Sequence, residues 1–439
     1  MFKETSKELL DFLSKCPTAF HAVENYRQVL NADGFEELLE SEHWNIVPGG
    51  KYYVTRNNTS ILAFKVGTKL DNYSFNIVTS HTDSPTFKVK ENAEIEVKNK
   101  YTQLNTEGYG GMLCATWLDR PLSIAGRVLV SEGNSIVTKL LNIDRDLLMI
   151  PNVAIHMNRA ANDGFKYNLQ VDMLPLLSAG EDRQKDFKQI VADELGVKKE
   201  DILGHDLYLY NRQAPSIWGA NEEFISSGHL DDLQCGFASL KALLAGYNDE
   251  SIDIMACFDN EEVGSGTKQG ADSTLLRDTL TRINSALGKT EEDYHRALAS
   301  SFMLSADNAH AVHPNHPEHT DVTNCTYMNE GVVVKSHAGQ KYTSDGVSMA
   351  VVKSLASGAD VPLQYFANRS DKAGGSTLGN IAMAQASMNA VDIGLPQLAM
   401  HSSYETAGIK DTYYAITLMK ALFDSHIQEK STHSLEIKR

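Results

Sequence analysis

No stretch of this chain approaches the roughly 18 consecutive apolar residues needed to cross a bilayer, which excludes a transmembrane helix. Cysteine is sparse and poorly spaced. Cys16, Cys114, Cys235, Cys257 and Cys325 are odd in number, far apart and never form a C-x-x-C pair, so neither a disulfide framework nor a thiolate zinc knuckle fits. They suit small buried apolar side chains in a reducing compartment. No Lys/Arg-rich stripe is interleaved with aromatics, and 40 Lys+Arg against 57 Asp+Glu leave a formal charge of −17, so nucleic acid is not an expected partner. The glycine-rich segments 264–266 and 374–377 lack the G-x-x-x-x-G-K-[ST] pattern, and no G-x-S-x-G elbow occurs. A nucleotide site and a serine-hydrolase elbow are therefore unsupported. Met1 to Glu8 mixes acids with bases and lacks the apolar core of a signal peptide, which leads to the expectation of a cytoplasmic protein with no membrane partner.

What remains is a chain of 439 residues, 42% hydrophobic and 22% charged, long enough for two or three domains and a large core. It has no internal repeat and no low-complexity linker, but its texture changes twice. Leu9, Leu10, Phe12 and Leu13 share one helical face, Ala22, Val23, Tyr26 and Leu30 share another, and Gly34 follows as a stop. Ser60–Val66 and Phe75–Ser80 read as strands. From about Thr86 to about Trp218 the pattern is short strands and turns, such as Thr86–Lys90 and Gly126–Val130, with helix only near Asp186 to Leu195. Beyond Phe224 apolar strands alternate with helices. Strands are expected at Ile252–Phe258, Phe302–Ser305, Val332–Val334, Leu363–Phe366 and Gln397–Met400, and helices at Leu233–Tyr247, Ser344–Leu355, Leu378–Ala390 and Asp411–Leu422. That alternation predicts an α/β fold with a mixed, largely parallel sheet flanked by helices. Its domain is drawn from residues 1–90 and 224–439, interrupted by a β-rich insertion at 91–223.

Ligands of open α/β sheets bind beyond the carboxyl ends of strands, so the residues after each strand carry the chemistry. His81 and Asp83 follow the first apolar strand of this kind, Asp259 to Glu262 the next, Asp307 another, and His401 the last, while Asp231-Asp232 precede a helix. Singly, each has an ordinary reading: a core histidine, a helix cap, a solvated acidic loop. Together they supply the imidazoles and carboxylates that hold a borderline metal such as zinc. His310, His313, His316 and His319 recur every three residues, but Pro314 and Pro317 interrupt any helix there, and a loop packed near the site is the expectation.

Several segments, in order and nearly end to end, resemble the aspartyl aminopeptidase family of two-metal exopeptidases. They are Pro17–Val23, Ser80–Pro85, Tyr109–Gly111 with Thr116–Arg120, Ile155-His156, Leu230–Leu233, Phe258–Ser265, Ser305–Asn315 and Pro396–Ser402. The resemblance implies a zinc-peptidase-like fold in which His81 and Asp307 bind one metal, Glu262 and His401 the other, and Asp231 bridges both. It implies Glu261 as general base, with Asp83 orienting His81. Two divalent cations, three carboxylate ligands and a bridging hydroxide would then sum to neutrality. Zinc is the expected metal, and cobalt or manganese accept the same donors.

The resemblance also implies that His156, from the insertion of a neighbouring subunit, stabilises the oxyanion, and that Lys335 meets an acidic substrate side chain. It further implies a homo-dodecamer built from dimers through the insertion. Ser403–Gly408 and the 368–376 loop differ from acid-selective members, so the expected preference for a first Asp or Glu over Leu or Met is weak. The alternatives are a preference for neutral or apolar first residues, a dipeptidase, carboxypeptidase or deacylase on the same architecture, and a catalytically silent oligomeric scaffold.

Overall fold

The computed structural model describes residues 1–180 and 186–439. A nine-stranded sheet runs in the order Glu36–Leu38, Lys51–Arg56, Ser60–Val66, Ser251–Phe258, Ser74–His81, Phe302–Ala306, Asn389–Gly394, Val332–Ser336, Leu363–Ala367. Its middle four strands, from Ser251–Phe258 to Asn389–Gly394, are mutually parallel, whereas Ser60–Val66 and Val332–Ser336 pair antiparallel to their inner neighbours. The sheet is thus mixed and largely parallel, as the alternation of strands and helices predicts.

Burial explains the apolar runs. Along Ser251–Phe258, Met255 and Cys257 enter one core while Ile254, Ala256 and Phe258 enter the other, so both faces of the strand are covered. Helices Phe2–Ser14, Ala19–Ala32, Leu230–Ala245, Gly346–Gly358 and Asp411–Phe423 pack on the first face, and Leu275–Ala286, Glu291–Ala299 and Leu378–Gln385 on the second. Among the described residues no helix is long and apolar enough to cross a membrane. All five cysteines are free; Cys16, Cys235 and Cys257 are buried, and Cys114 and Cys325 are half-buried.

A separate six-stranded antiparallel sheet is built from Ser135–Asn142, Leu122–Glu132, Ile202–Asn211, Thr86–Val97, Tyr101–Tyr109 and Leu176–Ala179, in that order. It carries its own core, to which the helix Phe187–Leu195 contributes Phe187 and Val191. This is the β-rich stretch read from the sequence.

Two expected elements differ. The helix expected over Leu378–Ala390 ends at Gln385, and Asn389–Gly394 becomes an interior strand. No Pro or Gly separates the two in sequence, so periodicity ran them together. The strand expected at Gln397–Met400 is Pro396–Leu398, and it lies in a five-stranded satellite sheet with Ser216–Trp218, Phe224–Ser227, Glu405–Gly408 and Ala309-His310. His401 therefore reaches the site from a turn beside the main sheet rather than from the end of one of its strands.

Candidate metal centre

Because the strands Ser74–His81, Ser251–Phe258 and Phe302–Ala306 run parallel, their carboxyl ends deliver His81, the Asp259–Glu262 loop and Asp307 to one edge. Asp231 arrives from the start of Leu230–Ala245. That helix has no side-chain cap, and its backbone is non-helical at Asp231 and Asp232, so the pair does not play the capping role that its position suggests. Asp232 instead accepts the backbone N–H of His81 at 3.2 Å, and the two Asp231 oxygens lie 3.5 Å from His81 Nε2 and 3.4 Å from His401 Nε2.

Potential ligand atoms of His81, Asp231 and Asp307 lie within 4.8 Å of one another, and so do those of Asp231, Glu262 and His401. Asp231 belongs to both sets. Asp231 Oδ1 and Glu262 Oε1 are buried and accept no hydrogen bond, an arrangement that costs energy unless a cation meets them. Burial lifts the Glu262 carboxyl well above its usual range, and Asp231 adds to the rise. Burial opposes charge on His401, yet Asp231 and Glu262 override it and raise the imidazole to about 10. The same cations that these carboxylates attract would satisfy them, so the donor set fits a pair of divalent ions.

The imidazoles are oriented for this. His81 Nδ1 lies 3.0 Å from the Asp83 carbonyl and His401 Nδ1 2.7 Å from the Gly111 carbonyl. Each Nδ1–H donates to its carbonyl, which leaves Nε2 as the atom turned to Asp231, where a cation would take the place of its proton. Gly111 comes this close because Gly110 takes a positive φ of 73° and carries no Cβ, which would stand 3.1 Å from Glu262 Cβ.

The Asp83 carboxylate does more than sit beside His81. It accepts the backbone N–H groups of Glu261 at 3.1 Å and Glu262 at 3.2 Å, and the Tyr109 hydroxyl at 2.6 Å. It thereby holds the turn Glu261–Val263 against the cluster. Glu261 also faces the cluster, with a carboxyl raised by burial to about 7. Lys335, at 4% exposure, lies 3.5 Å from Asp307 and donates to the Asn308 carbonyl at 2.8 Å. His156 is apart: it lies in an exposed turn of the insertion rather than on a strand, outside these clusters.

Glu405 was not among the residues singled out from the sequence. Buried at 2% exposure, it accepts the backbone N–H of Asp231 at 2.9 Å and of His401 at 2.8 Å, and so ties two of the clustered residues together. Only its position four residues after His401 hinted at this.

Imidazoles and carboxylates converging on a shared aspartate at the carboxyl edge of an α/β sheet define a metal-dependent hydrolase of the zinc-peptidase class. The comparisons place the chain within that class. The family model for aminopeptidase I zinc metalloproteases (M18) matches residues 12–423, and the chain belongs to that family. It is a zinc aminopeptidase, a hydrolase of peptide bonds. A Clostridium novyi protein described as a probable M18 family aminopeptidase 2 is 48% identical over 425 residues, covering 95% of this chain and 98% of that protein. A chain from a solved complex of Ape4 and Nbr1 is 35% identical with a TM-score of 0.93, covering 96% of this chain and 86% of its own. The mApe1 dodecamer of S. cerevisiae is 28% identical with a TM-score of 0.84, covering 96% and 97% respectively. The resemblance read from the motifs is borne out.

Proposed function

We propose that the chain removes N-terminal residues from peptides at a two-zinc centre in which His81 and Asp307 hold one ion, Glu262 and His401 the other, and Asp231 both. The membership of Asp231 in both ligand sets carries this reading. When bound, the ion pair supplies Lewis-acid polarisation of the scissile carbonyl and makes water a competent nucleophile near neutral pH. Glu261 takes the proton of the attacking water on its carboxylate and returns it to the leaving amine nitrogen as the C–N bond breaks. Asp83 keeps Glu261 and Glu262 in register through their backbone N–H groups. Recognition of a free α-amine at this centre makes the enzyme an exopeptidase.

First residues Asp and Glu are preferred only weakly over Leu and Met. The Lys335 ammonium is buried where it could meet a substrate carboxylate, but Asp307 and the Asn308 carbonyl already engage it, so an acidic side chain must compete for it. A panel of Asp-, Glu-, Leu- and Met-amides, each with its N-acetylated counterpart and with and without chelator, tests the function. Free-amine substrates are hydrolysed and chelator abolishes turnover, while acetylation slows it by about 10²-fold or more. Equal rates on blocked and free substrates would refute the aminopeptidase reading.

The same reading makes residues 1–90 and 224–439 the catalytic unit and 91–223 an oligomerisation unit within a cytoplasmic homo-dodecamer built from dimers. The apolar side chains Val153, Ile155, Met157 and Val171 each stand exposed, surface suited to burial against another copy. His156 lies between the exposed Ile155 and Met157, where it is offered to a neighbouring subunit to stabilise the oxyanion. Light scattering on the purified chain is expected to give a dodecamer mass; a fully active monomer would contradict the assembly.

A further inference from the structure

The prolines of the 310–319 segment do prevent a helix, but the loop that results gathers the histidines instead of dispersing them. Pro317–His319 is a single 3-10 turn. His316 N–H donates to the His313 carbonyl at 3.0 Å, His319 N–H to the His316 carbonyl at 3.2 Å, and the Thr320 hydroxyl to the Pro317 carbonyl at 2.8 Å. Tightened in this way, the His313 and His316 rings stand 5.3 Å apart, and the His316 and His319 rings stack at 5.5 Å. Glu318 Oε1 lies 3.2 Å from His316 Nδ1 and 4.0 Å from His319 Nε2.

One potential ligand atom from each of His316, Glu318 and His319 lies within 4.8 Å of the other two, and all three side chains are exposed. The Arg369 guanidinium donates to the Glu318 carbonyl and pairs with Asp371 at 2.8 Å, which pins the turn to the segment after the strand Leu363–Ala367. The four histidines, Arg369 and Met400 line a cavity of about 260 Å³, and Met400 directly precedes His401. A turn already closed by its own backbone loses little freedom when a cation draws the side chains together. Two imidazoles and one carboxylate select a borderline divalent ion such as zinc, cobalt, nickel or copper over calcium or magnesium, which favour all-oxygen sets.

We propose that the turn from His316 to His319 binds a third divalent transition-metal ion, through His316, Glu318 and His319 with His313 alongside. This site is separate from the pair at Asp231, and the inference does not depend on the roles given to that pair. Equilibrium dialysis of the full-length protein against zinc tests it. Wild type is expected to bind about three equivalents per chain and the double variant His316→Ala/His319→Ala about two, the lost equivalent being the weakest. Turnover at limiting zinc is expected to be unchanged in the double variant. Copper(II) bound beyond the first two equivalents of zinc is expected to show imidazole nitrogen couplings in electron paramagnetic resonance, absent from the double variant. Identical zinc binding by wild type and double variant, or nitrogen couplings that survive both substitutions, overturns the proposal.

Discussion

Glu261→Gln is expected to keep its zinc and lose aminopeptidase turnover by about three orders of magnitude. Glutamine preserves size and can still occupy the turn Glu261–Val263, because what fixes that turn is the pair of backbone N–H donations from Glu261 and Glu262 to Asp83. It cannot carry a proton from water to the leaving amine. The loss should therefore fall on kcat, with KM and metal content close to wild type, since substrate and ions are held by other groups. Steady-state kinetics together with elemental analysis decide the matter. Activity within about tenfold of wild type would remove Glu261 from the proton transfer.

Asp231→Asn is expected to have a broader effect, because one residue serves both ligand sets. The amide brings no charge and only one oxygen, into a position where the native carboxylate oxygens face His81 at 3.5 Å and His401 at 3.4 Å. Both ions of the centre should be lost or greatly weakened, and turnover should fall by about three orders of magnitude or more as several kcal/mol of Lewis-acid stabilisation disappear. Asp307→Asn should be milder in metal content, since Asp307 belongs to one set alone. If Asp231→Asn retains both ions at wild-type affinity, the shared-ligand arrangement is wrong.

The parts of the site that were legible in the sequence are those that follow from strand polarity. His81, Glu262 and Asp307 each sit one to a few residues past an apolar run, and parallel pairing of those runs brings them to one edge. Other parts depend on backbone geometry that residue types do not announce. His401 has a positive φ of 65° in a turn beyond the satellite sheet, and Glu405 reaches back under it from the strand Glu405–Gly408. Asp83 does more than its position announces. Its carboxylate lies 3.4 Å from His81 Nδ1, beside the 3.0 Å contact of its own backbone carbonyl, and it also gathers the Glu261–Glu262 turn, which no residue type foretells. The strand Asn389–Gly394 is not announced by the sequence because residues 380–390 hold no Pro or Gly, and it is tertiary packing that ends the helix at Gln385.

Anomalous diffraction at the zinc absorption edge, on crystals of the zinc-loaded protein, tests the claim on which the chemistry rests. Two peaks are predicted at the sheet edge, one reached by His81 and Asp307, the other by Glu262 and His401, with Asp231 within bonding reach of both. A single peak there, or two peaks with Asp231 bound to only one of them, would contradict it.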